Sequence, residues 1–100
     1  AARVRQALLA ADAMLDGNAD TVLVPALEKT FAADPTSEDL AQALMRAHLR
    51  LGQNSEAIRI YRRLREMLSL LLSIAPSAES DDIRDRAYAA ESKKIANVVP

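Results

Sequence analysis

Residues 38–72, EDLAQALMRAHLRLGQNSEAIRIYRRLREMLSLLL, decide the fold. Apolar side chains recur every three or four positions on both sides of residues 51–54, and this is the period of an α-helix. The positions are Leu40, Leu44, Ala47 and Leu51 before the break and Ala57, Ile60, Tyr61, Leu64, Met67, Leu68 and Leu71 after it. The short connection therefore predicts two antiparallel helices whose apolar stripes face each other.

The break between the two helices lies at Leu51-Gly52-Gln53-Asn54. Gly52 suits the left-handed conformation that ends a helix. Asn54 or Ser55 is predicted to cap the next helix, and Glu56 then lies near its positive end.

Small residues bring the two predicted helices close together. Ala41 and Ala57 let the backbones approach, and Tyr61, one turn after Ala57, fills the groove beside them. Two small residues separated by a Gly turn, with an aromatic residue four positions later, are typical of a tetratricopeptide (TPR) hairpin. Residues 38–71 also match the length of a TPR unit, which is about 34 residues.

Upstream of this hairpin the sequence predicts two further helices. The first covers residues 2–16 and is ended by the Gly-Asn pair at 17–18. The second begins within residues 20–24, so that Pro25 lies in its first turn, where the missing N–H has no helical partner. It stops before Pro35, because the residue that precedes a proline disfavours the helical conformation.

In the hairpin itself, Thr36 or Ser37 is predicted to cap the first helix, and the second helix is predicted to run from about Ser55 to Leu72. A fifth helix is predicted to be capped by Ser80. Its inward positions are Ile83, Ala87 and Ala90. We therefore expect residues 1–100 to form one all-α domain, a TPR-like α-α superhelix of about five helices in two antiparallel hairpins plus a C-terminal helix.

The composition suits closely packed helices. Of 100 residues, 50% are apolar, 27% are charged and only 3% are aromatic, which argues against disorder and against a sheet. A net charge of -1 gives no overall field to attract nucleic acid or an anionic membrane. No apolar run reaches the length of a membrane span, and the absence of Cys excludes disulfides and thiolate chemistry.

Candidate reactive residues are few. His48 is the only histidine, and its neighbours in sequence include no acid or nucleophile, so helix packing is favoured over catalysis or metal binding. Asp81, Asp82 and Asp85 lack the spacing of a calcium loop and are interpreted as a charge cluster at a helix N-terminus. No phosphate-binding Gly-rich loop or hydrolase motif occurs. We predict no enzyme activity, no cofactor and no metal.

Five arginines make up the predicted partner or anion contact. They are Arg46 and Arg50, at i and i+4, and Arg59, Arg62 and Arg63, at i, i+3 and i+4. Stacked guanidinium groups suit a phosphate, a phosphopeptide or an acidic segment of a partner protein. The alternative is a solvated face on which Glu56 and Glu66 pair locally. Direct contact with nucleic acid is disfavoured because no aromatic residue interleaves with the arginines.

Leu70 and Leu72, together with Leu71, make one end of the hairpin apolar almost all round. An end of this kind has to be covered. One possibility is that the predicted fifth helix covers it. The other is that a partner domain or a second copy binds at Leu70 and Leu72, and binding of a second copy would give a homodimer.

Several runs of this sequence resemble the bacterial transcriptional activator domain, which is TPR-like. They are LMRA at 44–47, LG and EA at 51–52 and 56–57, YRRLR at 61–65 and IAPSAE at 74–79. Ser73 stands where the family prefers Gly, and Ala78 where it often has a second Pro. In activators of the antibiotic regulatory protein type, this domain follows a winged-helix DNA-binding domain and is not known for catalysis or for reading DNA.

The resemblance implies a cytoplasmic regulatory module of a bacterial activator, cut from a longer chain and lacking its DNA-binding domain. Its partner would be that DNA-binding domain, the transcription machinery or a second copy. One alternative is a generic TPR scaffold outside transcription, and another is an enzyme or ligand sensor that uses His48 or the arginines. Helical repeats usually need about three units to bury a core. Two units plus a final helix are therefore expected to be marginally stable alone, or to pack against another domain or a second copy.

Overall fold

The computed structural model describes residues 17–98, with side chains from 21 to 94. Four helices follow one another in this part of the chain, with no strand: α1 (Gly17–Ala33), α2 (Glu38–Arg50), α3 (Asn54–Leu72) and α4 (Ala78–Val98). The all-α, TPR-like prediction is confirmed. The predicted helix over residues 2–16 lies outside the described residues. No helix among residues 17–98 is long and apolar enough to cross a membrane.

α2 and α3 form the predicted hairpin at the centre of the fold. Ala41 and Ala57 are fully buried between them, and Tyr61 is buried one turn further along. The turn closes as predicted, because Gly52 has a φ of 73°. The N–H of Gln53 donates to the carbonyl oxygen of His48 at 2.8 Å, and the N–H of Gly52 donates to that of Leu49 at 3.1 Å. These two bonds satisfy carbonyls that the end of α2 would otherwise leave unpaired.

Helix α1 includes residues before its predicted start. We expected it to begin within residues 20–24, after a break at Gly17-Asn18 and with Pro25 in its first turn, and each of these expectations is wrong. The helix already includes Gly17 and Asn18, and Pro25 lies in its interior.

The packing of α1 against α2 explains why the helix continues through Pro25. A proline costs about 3 kcal/mol in a helix interior, and Gly or Asn costs about 1 kcal/mol or less. Pro25 lies on the exposed face, so the carbonyl of Thr21 that it leaves unpaired can bind water. On the opposite face Leu23, Leu27 and Phe31 are buried in the common core. Each buried side chain of this size contributes about 1.5–3 kcal/mol, which outweighs the proline.

The caps of α2 and α3 are made in different ways. Ser37 caps α2 as predicted, and its Oγ accepts a hydrogen bond from the N–H of Leu40 at 3.3 Å. The prediction that Asn54 or Ser55 caps α3 is wrong. The cap residue is Gln53, whose side chain makes no capping bond. The turn at Gly52 is so tight that Asn54 is already helical, and the side chain of Gln53 faces His48 instead.

Helix α4 begins before the predicted cap. Ser77 is the capping residue, because its Oγ accepts a hydrogen bond from the N–H of Ser80 at 3.4 Å. The prediction that Ser80 caps this helix is therefore wrong. Ser80 is fully buried within the first turn, where its Oγ donates to Oε2 of Glu38 at 2.6 Å and accepts from Nε2 of Gln42 at 2.8 Å. This contact fixes the start of α4 on α2.

The remaining contacts of α4 complete the core. Ile83 and Ala87 are buried as predicted, while Ala90 is only half-buried. At the surface of the α3–α4 contact, the hydroxyl of Tyr61 donates to Oδ1 of Asp81 at 2.6 Å and accepts from Nη1 of Arg84 at 2.9 Å. The guanidinium of Arg84 also lies over the Tyr61 ring, 4.9 Å from its centroid.

The C-terminal end of α3 is not covered by α4. Leu70, Leu71 and Leu72 are 70%, 61% and 53% exposed, so the alternative in which the last helix covers them is wrong, and so is the predicted inward position of Leu71. α3 has 19 residues and α2 has 13, so at 1.5 Å per residue α3 extends roughly 9 Å beyond its partner. Ser73, with φ 55° and ψ 37°, ends the helix in the left-handed conformation, at the position where the family prefers Gly.

Candidate functional site

The five predicted arginines lie on separate surfaces. Arg46 and Arg50 of α2 line one groove together with Leu49 and with Arg86 of α4, and we call this the arginine groove. Arg59 and Arg63 of α3 line a second groove, against α1. Its other lining residues are Glu28, Phe31, Ala32, Pro35 and Ile60. Arg62 is exposed and lines neither groove. The structure therefore does not bring the five side chains together.

Two helices build the arginine groove. Arg46 and Arg50 lie one turn apart on α2, and α4 brings Arg86 beside them. Nη2 of Arg46 pairs with Oε1 of Glu79 at 2.8 Å, in a pair whose side chains are 42% and 65% exposed. A surface pair of this kind is worth about 0–1 kcal/mol, so a carboxylate of a partner can replace Glu79 at little cost.

Arg86 is not among the arginines predicted from the sequence to contact a partner. It lies far along the chain from Arg46 and Arg50, and only the packing of α4 on α2 places it in the same groove. One sequence pattern could have indicated its position. Ile83 and Ala87 form the inward stripe of α4, and Arg86 lies at the edge of that buried face.

Arg59 is held by two carboxylates. Its Nη2 lies 3.0 Å from Oε1 of Glu28, and its Nε lies 2.9 Å from Oε2 of Glu56. Because both partners are acidic, the guanidinium charge is already balanced and is less available to an anion than the sequence pattern indicated. Arg63 is exposed on the next turn and has no ion pair among the described residues.

His48 is buried, as its predicted role in helix packing requires, and is 2% exposed. Its Nδ1 lies 2.8 Å from Oε1 of Gln53, and its Nε2 lies 3.4 Å from Oε1 of Glu28. The acids that the neighbouring sequence lacks are therefore supplied by α1 and α3. Ligand atoms of Glu28, His48 and Glu56 all lie within 4.8 Å of one another, and sequence reasoning did not find this cluster.

A polar contact joins the N-terminus of α2 to the start of α4, the two helices that line the arginine groove. Oε2 of Glu38 accepts from Oγ of Ser80 at 2.6 Å and from the N–H of Ser77 at 2.9 Å. Burial alone raises the pKa of Glu38, but the hydrogen bonds from Ser80 and Ser77 outweigh it and leave that pKa below its usual value. On the neighbouring α3, burial and the hydrogen bond to Asp81 raise the pKa of Tyr61, which keeps its hydroxyl protonated as a donor.

The exposed apolar surface at the end of α3 consists of Leu70, Leu71, Leu72 and Ile74, and we call it the leucine end. It includes both residues that the sequence analysis singled out for self-association. Val22 on α1 is another strongly exposed large apolar residue, 69% exposed.

The family model of the bacterial transcriptional activator domain matches residues 1–86. The match spans the α2–α3 hairpin and the part of α4 that carries Ser80 and Arg86. Comparisons with curated proteins and with solved structures gave no match. Since the matched segment covers most of the chain and the described part has the helical TPR-like fold, the chain belongs to the bacterial transcriptional activator domain family.

Proposed function

We propose that this chain is the regulatory, protein-interaction module of a bacterial transcription activator, and that it binds an acidic segment of a partner protein in the arginine groove. The observation that carries the proposal is the convergence of Arg46, Arg50 and Arg86 from two helices on one groove around Leu49. Family membership supports a role in transcription activation, and with it a cytoplasmic location. The alternative of a TPR scaffold outside transcription has no comparable support.

The chemistry of the groove favours an acidic peptide. Guanidinium groups bind carboxylates in a bidentate manner, and the half-buried Leu49 offers apolar contact between them. No aromatic residue lines the groove for bases to stack on, which disfavours nucleic acid. The partner can be the activator's own DNA-binding domain, a component of the transcription machinery or a second copy. Since binding of this kind needs no reactive centre and the family is regulatory, the proposal includes no enzyme activity and no cofactor.

A matched pair of charge reversals tests this proposal. A fluorescent peptide rich in Glu and Asp, with a single Leu, is titrated with the chain and followed by anisotropy. Arg50→Glu/Arg86→Glu is expected to weaken binding by at least about tenfold, because it replaces two positive charges that would pair with the peptide by two negative charges that repel it. Arg62→Glu/Arg63→Glu changes the net charge equally but lies outside the arginine groove. It is expected to weaken binding by only about twofold. An equal loss in both variants, or no binding by the parent chain, contradicts the proposal.

We also propose weak self-association through the leucine end, since its large apolar side chains are at least half exposed. Sedimentation velocity over a dilution series is expected to show a dimer that dissociates as the chain is diluted. Leu70→Lys/Leu72→Lys is expected to remain monomeric, whereas Val22→Lys, which places a lysine on another exposed apolar site, is expected to behave as the parent chain. A parent chain that stays monomeric at every concentration contradicts this part of the proposal.

A further inference from the structure

The imidazole of His48 is oriented with one nitrogen paired and the other unpaired. Nδ1 lies 2.8 Å from the side-chain oxygen of Gln53, so this nitrogen carries the proton and donates it. Nε2 is buried and, among the described residues, has no hydrogen-bond partner. In the neutral ring, Nε2 therefore presents a lone pair, and a buried lone pair without a partner calls for a proton or a metal ion.

Two carboxylates lie near Nε2. Oε1 of Glu28 lies 3.4 Å from Nε2, and a carboxylate oxygen of Glu56 completes a set of three ligand atoms within 4.8 Å of one another. Each ligand comes from a different helix: Glu28 from α1, His48 from the last turns of α2 and Glu56 from the first turn of α3. Packing of the three helices holds the backbones of the cluster in place, while Glu28 and Glu56, with side chains 40% and 46% exposed, can adjust.

One spacing already suits a tetrahedral ion, and the partly exposed carboxylates must move to close the others, which reach up to 4.8 Å. Two ligand atoms that each lie about 2.1 Å from a tetrahedral zinc ion are roughly 3.4 Å apart, which is the separation of Nε2 and the Glu28 oxygen. The Nδ1–Gln53 hydrogen bond is the outer contact that orients histidine ligands in metal sites. One imidazole and two carboxylates form a donor set for a borderline divalent ion such as Zn²⁺, whereas Mg²⁺ and Ca²⁺ prefer oxygen alone.

Arg59 lies where it would compete with such an ion. Its guanidinium bridges Glu28 and Glu56, at 3.0 and 2.9 Å. The side chain is 55% exposed and projects from the surface of α3, so it can swing into solvent and leave both carboxylates to a divalent ion. Arg59 then acts as a built-in competitor that lowers the affinity of the site.

We propose that Glu28, His48 Nε2 and Glu56 form a binding site for a divalent transition-metal ion of the zinc class, that water completes the coordination, and that Arg59 occupies the two carboxylates when the ion is not bound. The site ties α1 to the α2–α3 hairpin at the side of the hairpin turn. Occupancy therefore stabilises the arrangement of the three helices and involves no residue of the arginine groove.

The test uses the tag-free 100-residue chain, because its single histidine and lack of cysteine make the readout unambiguous. Calorimetric titration with Zn²⁺ is expected to give one ion per chain, with Mg²⁺ giving no saturable binding. A ¹⁵N-edited spectrum of the one imidazole is expected to show Nε2, and not Nδ1, shifting on addition of Zn²⁺. Absence of saturable Zn²⁺ binding, or an unchanged imidazole signal, would overturn the proposal.

Two variants with opposite expected effects separate this site from adventitious binding. Glu28→Gln/Glu56→Gln keeps the fold-determining residues and is expected to weaken Zn²⁺ binding at least about 100-fold, since losing only an outer-shell partner already costs 10–100-fold. Arg59→Gln is expected to tighten it roughly three- to tenfold, because a competing positive charge is removed. Glu66→Gln/Glu91→Gln removes two carboxylates elsewhere and is expected to leave the affinity unchanged. Equal affinities in all three variants would overturn the proposal.

Discussion

The two ends of α3 contain similar apolar residues but differ in their surroundings. Toward the N-terminal end, Ala57, Tyr61 and Leu64 are buried against α2 and α4. Toward the C-terminal end, the last buried residue is Leu68, and the three leucines that follow Ser69 are more than half exposed. The difference arises because α2 is shorter than α3 and α4 begins beside the N-terminus of α2. Burial in this fold is therefore decided by how far the partner helices extend, and not by side-chain hydrophobicity alone.

The largest expected effect comes from truncating a leucine at each end of α3. Leu64→Ala is expected to lower the free energy of unfolding by about 2–5 kcal/mol, because it leaves a cavity in the core. Leu71→Ala is expected to change it by about 0.5 kcal/mol or less, since the side chain is exposed. Urea unfolding measures both. Similar losses in the two variants would mean that the leucine end is covered in solution.

Introducing a larger side chain at each end of α3 tests the same difference in burial. Ala57→Phe is expected to destabilise the fold by about 1–3 kcal/mol, because the new ring forces the closely packed α2 and α3 apart. Ser69→Phe places the same ring on the exposed part of the helix and is expected to have little effect on thermal unfolding. A neutral Ala57→Phe would contradict close packing at the centre of the hairpin.

The buried end of α3 also depends on a polar contact. Tyr61→Phe removes a hydroxyl that bonds to Asp81 and Arg84, and we expect a loss of about 1.5 kcal/mol, the lower range for hydrogen bonds to charged groups. Tyr88→Phe removes the same group from an exposed residue of α4 and serves as the control in chemical denaturation. If both substitutions cost the same, the contact between Tyr61 and α4 contributes nothing specific.

At the exposed end, one substitution is expected to stabilise the protein. Ser73 has a positive φ of 55°, which a residue with a Cβ adopts at a cost, so Ser73→Gly is expected to raise the free energy of unfolding by about 0.5–1 kcal/mol. Ser69→Gly introduces glycine into the helix itself and is expected to lower it by a similar amount. Calorimetric melting temperatures should move in opposite directions. A shift in the same direction would refute the left-handed end of α3.

The smallest effect concerns the acid dependence of the α2–α4 contact. The folded pKa of Glu38 is below its usual value of 4.5, so the charged form contributes stability above the unfolded pKa, and this contribution is lost as the pH falls through the folded pKa. Glu38→Gln is expected to reduce stability slightly at neutral pH, with the difference from the parent chain shrinking as the pH falls from 4.5 through the folded pKa of Glu38. Glu66→Gln, on an exposed carboxylate, is expected to show no such convergence. A difference that stays constant with pH would contradict the depressed pKa.

The parts of the fold that were predicted correctly depend on contacts between residues close in sequence. The Gly52 turn, the Ser37 cap and the stripe from Ala57 to Leu68 follow from local conformational preferences and helical periodicity. The errors occur where tertiary packing opposed a local signal. Pro25 is typical of a helix start, yet α1 continues through it because burial of the opposite face outweighs the cost of the proline. Ser80 reads as a cap, yet its hydroxyl binds Glu38 and Gln42 from another helix.

The candidate sites were less predictable than the fold, because each assembles residues from helices that are distant in sequence. Arg86 and Glu28 have no signature of their own, and only the packing of α4 and α1 on the hairpin places them beside Arg46 and His48. Conversely, the helical spacing of Arg59, Arg62 and Arg63 indicated a single cationic face. The alternative, local pairing by Glu56, is what the structure shows at Arg59. The sequence did not reveal the second carboxylate, Glu28, because it comes from another helix.

Pro25 also affects how α1 responds to force. Because it supplies no N–H to the carbonyl of Thr21, the turns before it are joined to the turns after it by one fewer backbone bond. The described turns before Pro25 contribute one buried residue to the core, Leu23, whereas the turns after it contribute Leu27 and Phe31. We therefore expect tension applied from the N-terminal side to unwind the turns before Pro25 first, ahead of the hairpin that carries Arg46 and Arg50.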